Sequence, residues 1–150
     1  MKIEDVVMAT GSLVFVGLAL DAFLMVAFIP LGDSTSESLA FIISFLVVSF
    51  VVGYVFALKI QEMSRIKAVL GIAVLSAFAL IFFLSIWTAI PTTNPWFNDS
   101  LKNMFNTSGW TNYEWNAYSA LAITIDVIVA FVLSFIGLYA GSMLRKPKKT

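Results

Sequence analysis

The stretch VFVGLALDAFLMVAF, Val14–Phe28, decides the class of this protein, because a single ionisable residue, Asp21, interrupts an otherwise apolar run. Four long apolar segments contain this stretch and others like it, at residues 6–29, 39–58, 68–90 and 117–143. Each segment reaches the roughly 17 to 20 residues that an α-helix needs to cross about 30 Å of hydrocarbon. The sequence therefore predicts an all-α integral membrane protein, a bundle of four transmembrane helices.

The composition agrees with a membrane protein. Hydrophobic residues make up 60% of the chain and charged residues only 12%, whereas roughly a quarter of the residues of soluble domains are charged. Spans of this length are expected to be helical, because lipid offers no hydrogen-bond partner to exposed backbone groups. We expect one membrane domain over residues 1–150, which ends in a basic tail at 144–150.

Basic residues flank the four segments asymmetrically. The larger group falls on one side of the predicted membrane and contains Lys2, Lys59, Arg65, Lys67, Arg145, Lys146, Lys148 and Lys149. Only Lys102 falls on the other side. Since Lys and Arg accumulate in cytoplasmic loops, this predicts a multi-pass protein of the cell membrane with both termini in the cytoplasm. The segments 31–38 and 92–116 then face the exterior.

The predicted outer loop at 92–116 contains a helix signal at about 95–108. Asn94 is a suitable N-cap, Pro95 suits the first helical position, and Gly109 ends the pattern. Apolar residues share one face of this segment, and tryptophans and tyrosines surround it. This composition predicts a short interfacial helix within an aromatic belt.

Two triplets in the same loop fit the acceptor pattern for N-linked glycosylation. They begin at Asn98 and Asn106, on the side that the basic residues assign to the exterior. The agreement between the two signals makes a glycoprotein a consistent interpretation.

The sequence contains no cysteine and no histidine. No thiolate is therefore available as a nucleophile, and no imidazole can bind haem, zinc or copper. No phosphate-binding glycine motif is present either. We expect neither an enzyme nor a bound cofactor or metal. The expected partners are the lipid bilayer and other membrane subunits or further copies of the chain, but not nucleic acid.

Small residues form a stripe on two of the predicted helices. In the fourth segment the stripe consists of Asp126, Ala130, Ser134, Gly137 and Gly141, and in the second of Ser49, Gly53 and Ala57. Small side chains let membrane helices approach closely. Both stripes pack inside the bundle in one interpretation, and in another one of them contacts a second chain.

Polar residues inside the segments are predicted to lie at similar depths in the outer half of the membrane. They are Asp21, Ser44, Ser85 and Asp126. An aspartate in a membrane helix costs roughly 2.5 to 3.5 kcal/mol, and no Lys, Arg or His occurs in the four segments. Each carboxyl group is therefore protonated, hydrogen-bonded, bound to a cation, or paired with a basic residue of another subunit. The matched depths predict that the two aspartates approach each other.

Two functions follow from these features. The first is an accessory or scaffold subunit of a larger membrane complex, which suits a small chain with little mass outside the membrane. The alternative is an oligomeric proton or cation transport element that uses Asp21 and Asp126. A pocket for lipid or quinone among the aromatic residues of the outer half is a weaker third interpretation.

Overall fold

The computed structural model describes residues 1–28, 33–62, 64–93 and 112–145, with side chains at 1–27, 38–62, 64–86 and 120–145. In these ranges all regular secondary structure is helical. The helices are α1 (Ile3–Phe28), α2 (Asp33–Val55), α3 (Ala57–Gln61), α4 (Arg65–Thr93) and α5 (Asn112–Leu144). The predicted interfacial helix at about 95–108 lies outside the described residues.

Four of the helices are long and apolar enough to cross a membrane. The qualifying parts are Ile3–Ala27, Ser38–Val55, Arg65–Ile86 and Ala120–Leu144. This confirms the predicted all-α chain with four long apolar helices, and it supports a multi-pass membrane protein. Side chains such as Phe15 and Phe78 are exposed on the surface. Helices that are apolar on all sides are typical of membrane spans.

The second long helix is interrupted near its end. At Phe56 the backbone leaves regular helical geometry, with φ −89° and ψ 6°, and α3 begins at the next residue. Helical hydrogen bonding nevertheless bridges the break, because the Phe56 N–H donates to the Val52 carbonyl and the Ile60 N–H donates to the Phe56 carbonyl, both at 2.9 Å. The helical path therefore extends beyond the apolar segment as far as Gln61.

The fourth helix of the chain, α4, is longer than the apolar segment at both ends. It starts at Arg65, where the Ala68 N–H donates to the Ser64 carbonyl at 3.0 Å, and it continues through Pro91 to Thr93. Hydropathy marks only the part of a helix that suits hydrocarbon, whereas backbone hydrogen bonds form equally well between polar residues. This is the physical reason for the extra length.

The chain divides into two compact units. The first comprises Met1–Ala77 together with Val129–Thr150, and the second comprises Phe78–Ile128. A single membrane domain over the whole chain stays a prediction.

Large apolar side chains fill the interior of the first unit. They include Leu13, Phe45, Ile60, Ile72 and Leu138, all without exposed surface. Helix α1 packs against α2, and the Phe45 ring lies over Gly17, where an added Cβ would come within 3.2 Å of ring carbon Cε1. The ring of Phe41 extends this contact, with its centroid 4.7 Å from that of Phe45.

Candidate helix-packing site and intramembrane acidic residues

The small-residue stripes of α2 and α5 face each other in the first unit. A Cβ added to Gly53 would overlap the carbonyl oxygen of Leu138 and lie 2.7 Å from its Cα. A Cβ added to Gly141 would overlap the carbonyl oxygen of Phe50 and lie 2.9 Å from the Tyr54 nitrogen. The neighbouring atoms belong to the backbone, so the two helices touch through their main chains.

Gly137 continues this contact toward the middle of α5. A Cβ there would overlap the hydroxyl oxygen of Ser49 and lie 3.0 Å from the carbonyl oxygen of Leu46 and from the Phe50 nitrogen. The Ser49 hydroxyl group is fully buried and is within hydrogen-bond distance of two acceptors, the carbonyl oxygens of Leu46 at 3.0 Å and Leu133 at 3.3 Å. The second of these bonds connects α2 to α5.

The remaining small residues of the two stripes are buried as well. Ala57 is fully covered, and Ala130 and Ser134 each retain 1% exposure. The Ser134 hydroxyl group has no hydrogen-bond partner among the described residues. Of the α5 stripe, only Asp126 at its upstream end is partly exposed.

A polar contact follows the glycine contact at the downstream ends of α3 and α5. The side-chain amide of Gln61 donates to the carbonyl oxygens of Ser142 at 3.0 Å and Arg145 at 2.9 Å. Ser142 belongs to the last turn of α5 and Arg145 directly follows the helix, where carbonyl groups lack helical partners. In return, the guanidinium group of Arg145 donates to the Val55 carbonyl at 3.3 Å and lies 5.8 Å from the centre of the Tyr54 ring.

Sequence reasoning missed Gln61 entirely and assigned Arg145 only to the basic tail. The available signal was weak, since it consisted of one neutral amide just beyond an apolar segment, beside the charged Lys59 and Glu62. Those two neighbours form an exposed ion pair at 3.9 Å. Such exposed pairs contribute little to stability, so the side-chain amide of Gln61, which donates two hydrogen bonds to the end of α5, is the more informative group.

The predicted polar layer is divided between the two units. In the first unit, Asp21 on α1 is partly exposed, and Ser44 on α2 is fully buried with no hydrogen-bond partner for its hydroxyl group among the described residues. In the second unit, Ser85 is exposed and Asp126 is partly exposed. The approach of Asp21 to Asp126 stays a prediction, as does their predicted common depth.

Asp126 has neither a hydrogen-bond nor an ion-pair partner among the residues that the structure describes. Its neighbour Thr124 differs, because that hydroxyl group donates to the Ala120 carbonyl one helical turn earlier, at 2.8 Å. A hydroxyl group on a helix can use its own backbone in this way, whereas an ionised carboxylate only accepts hydrogen bonds. Among the described residues, no group therefore satisfies the Asp126 carboxyl group.

The two predicted glycosylation sites, Asn98 and Asn106, lie outside the described residues. No known protein family matches the chain, and neither a curated protein nor a solved structure matches it. The class that the fold supports is a multi-pass helical membrane protein. A function for the chain must accordingly be argued from its own residues.

Proposed function

We propose that this chain is an accessory or scaffold subunit of a larger membrane complex. The observation that carries the proposal is that Asp126 is partly exposed. This residue lies inside the apolar segment 117–143, nine residues from its first position, which is about 14 Å along the helix axis at 1.5 Å per residue. At that depth the exposed part of Asp126 contacts lipid or protein and not bulk water.

Contact with lipid is unfavourable for the Asp126 carboxyl group. An aspartate in the middle of a membrane helix costs roughly 2.5 to 3.5 kcal/mol, and lipid chains offer it no hydrogen-bond donor. A second polypeptide that covers Asp126 removes the carboxyl group from lipid and can supply a donor. This difference favours a subunit of a complex over a chain that stands alone in the bilayer.

The packing of the first unit is consistent with a supporting role. Its glycine contacts at Gly53, Gly137 and Gly141 are used between α2 and α5 of the same chain, and large apolar side chains fill its interior. The buried part of the α5 stripe is therefore not a surface for another subunit. Contact with a partner would instead use the exposed apolar surface and the partly exposed acidic residue.

Photo-crosslinking in native membranes tests this proposal. A photoreactive amino acid at Ala122, one turn before Asp126 and partly exposed, is expected to form an adduct with another polypeptide. The matched control is Leu121, which lies at the same depth, is 60% exposed and points away from the Asp126 face. We expect lipid adducts at Leu121. Lipid adducts alone at both positions would contradict the proposal.

A further inference from the structure

Asp126 lies on the same face of α5 as the small residues of the stripe. Along α5 the stripe is buried at Ala130, Ser134 and Gly137, and exposure begins at Asp126 on the same side of the helix. Residues four apart lie on one helix face. Asp126 therefore shares a helix face with small residues, and small residues let a second helix approach closely.

Among the described residues, no basic side chain pairs with Asp126. The nine Lys and Arg residues of the chain all lie outside the four apolar segments, and the chain contains no histidine. The nearest hydroxyl group along α5, on Thr124, already donates to the Ala120 carbonyl. A basic side chain from another chain is the complement that the carboxyl group lacks, because ionisable residues inside membranes pair with one another.

Resting on the proposed function, we propose that the partner subunit presents a Lys or Arg side chain, from one of its own membrane helices, to the Asp126 carboxyl group. The pair buries both charges against each other and leaves neither in lipid. A neutral hydrogen-bonding partner would satisfy one oxygen atom but would not offset the charge. The partner is therefore recognised by a basic residue inside its own span, at the same membrane depth as Asp126.

The test uses the purified full chain and synthetic helices in phosphatidylcholine vesicles. The probes are two leucine-rich transmembrane peptides, one with a single Lys at the depth of Asp126 and one with Leu at that position. Resonance energy transfer between labelled protein and labelled peptide gives the two affinities. We expect the Lys peptide to bind about three- to twentyfold more tightly, the range of measured hydrogen-bond couplings between membrane helices.

Variants at two positions test whether Asp126 causes the tighter binding of the Lys peptide. Asp126→Asn should abolish it, Asp126→Glu should retain it, and Asp126→Lys should transfer it to a peptide with Glu in place of Lys. The matched control is Thr124→Val, which removes a polar group two residues away and should leave the preference unchanged. If Asp126→Asn fails to fold, as judged by its unfolding transition, the Glu and Lys variants still decide the question.

Two outcomes would overturn the inference. One is equal binding of the Lys and Leu peptides by the wild-type chain. The other is stabilisation of the chain by sodium or calcium ions that Asp126→Asn abolishes, since this would assign the carboxyl group to a cation site. Neither outcome decides the proposed function, because the photo-crosslinking experiment uses the native aspartate and detects any polypeptide partner.

Discussion

The contact between α2 and α5 predicts a graded response to Gly→Ala substitution. At Gly141 the added methyl group would overlap the Phe50 carbonyl oxygen and lie 2.9 Å from the Tyr54 nitrogen, about 0.5 Å short of the 3.4 Å at which ordinary contact begins. At Gly53 it would meet the backbone of Leu138. Backbone atoms in the middle of a helix cannot turn aside, so the whole helix pair must separate.

The expected magnitude follows from these distances. Overpacking a well-packed interior typically costs about 1 to 3 kcal/mol, and separation of the helices also weakens the hydrogen bond from Ser49 to the Leu133 carbonyl, worth roughly 0.6 kcal/mol. We expect Gly53→Ala and Gly141→Ala each to lower the free energy of unfolding by about 1 to 3 kcal/mol. Replacement of both Gly137 and Gly141 by Leu should lower it further.

The chain supplies its own controls. An added Cβ at Gly11 or Gly71 has no atom within 4 Å. Alanine there should leave stability unchanged or raise it by up to about 1 kcal/mol, because alanine is the better helix former. Gly17→Ala should fall between the two groups, since the methyl group would meet only the movable ring of Phe45 at 3.2 Å.

The assay is equilibrium unfolding of the purified protein in mixed micelles with increasing dodecyl sulfate, followed by helical circular dichroism. The free energies of the five single alanine variants are compared with that of the native chain. Equal stability of Gly141→Ala and Gly71→Ala would refute the reasoning, since it would mean that the two backbones are not in contact.

Three further predictions use substitutions at single positions or pairs. With an impermeant thiol reagent on intact cells, a cysteine at Ser108 should be labelled and one at Ser64 protected, and the reverse would overturn the orientation. Gln61→Leu removes two hydrogen bonds to the end of α5 and should speed tryptic release of the basic tail. Unchanged cleavage would show that the Gln61 amide does not hold the end of α5 in place. The pair Asp21→Cys, Asp126→Cys should form a disulfide in the purified chain, and failure to cross-link would argue against their approach.

Much of the helical architecture could be predicted from the sequence, because a membrane-spanning helix needs only sufficient length and apolar side chains. Length and apolarity alone located the four long helices, and the spacing of Gly137 and Gly141 by four marked a close-packing face. The spacing of these glycines did not show which helix packs against them. A glycine stripe looks the same whether its partner is Ser49 and Gly53 of the same chain or a helix of another chain.

The helix ends and the polar contacts between them were not predictable in this way. The break at Phe56 depends on the geometry of one residue in an otherwise continuous helix. The hydrogen bonds of Gln61 join residues 81 and 84 positions apart. Contacts of that sequence separation depend on the relative position of two helices, which local periodicity does not encode.

The mass of the assembly in the native membrane tests the central claim most directly. The chain has a mass of 16.5 kDa, so a monomer or any homo-oligomer gives that value, plus the mass of any purification tag, or a multiple of it. Extraction in a gentle detergent followed by native mass spectrometry should instead give a stoichiometric complex that contains at least one other polypeptide. A mass that corresponds only to the chain itself, once or several times, would contradict its assignment as a subunit of a larger complex.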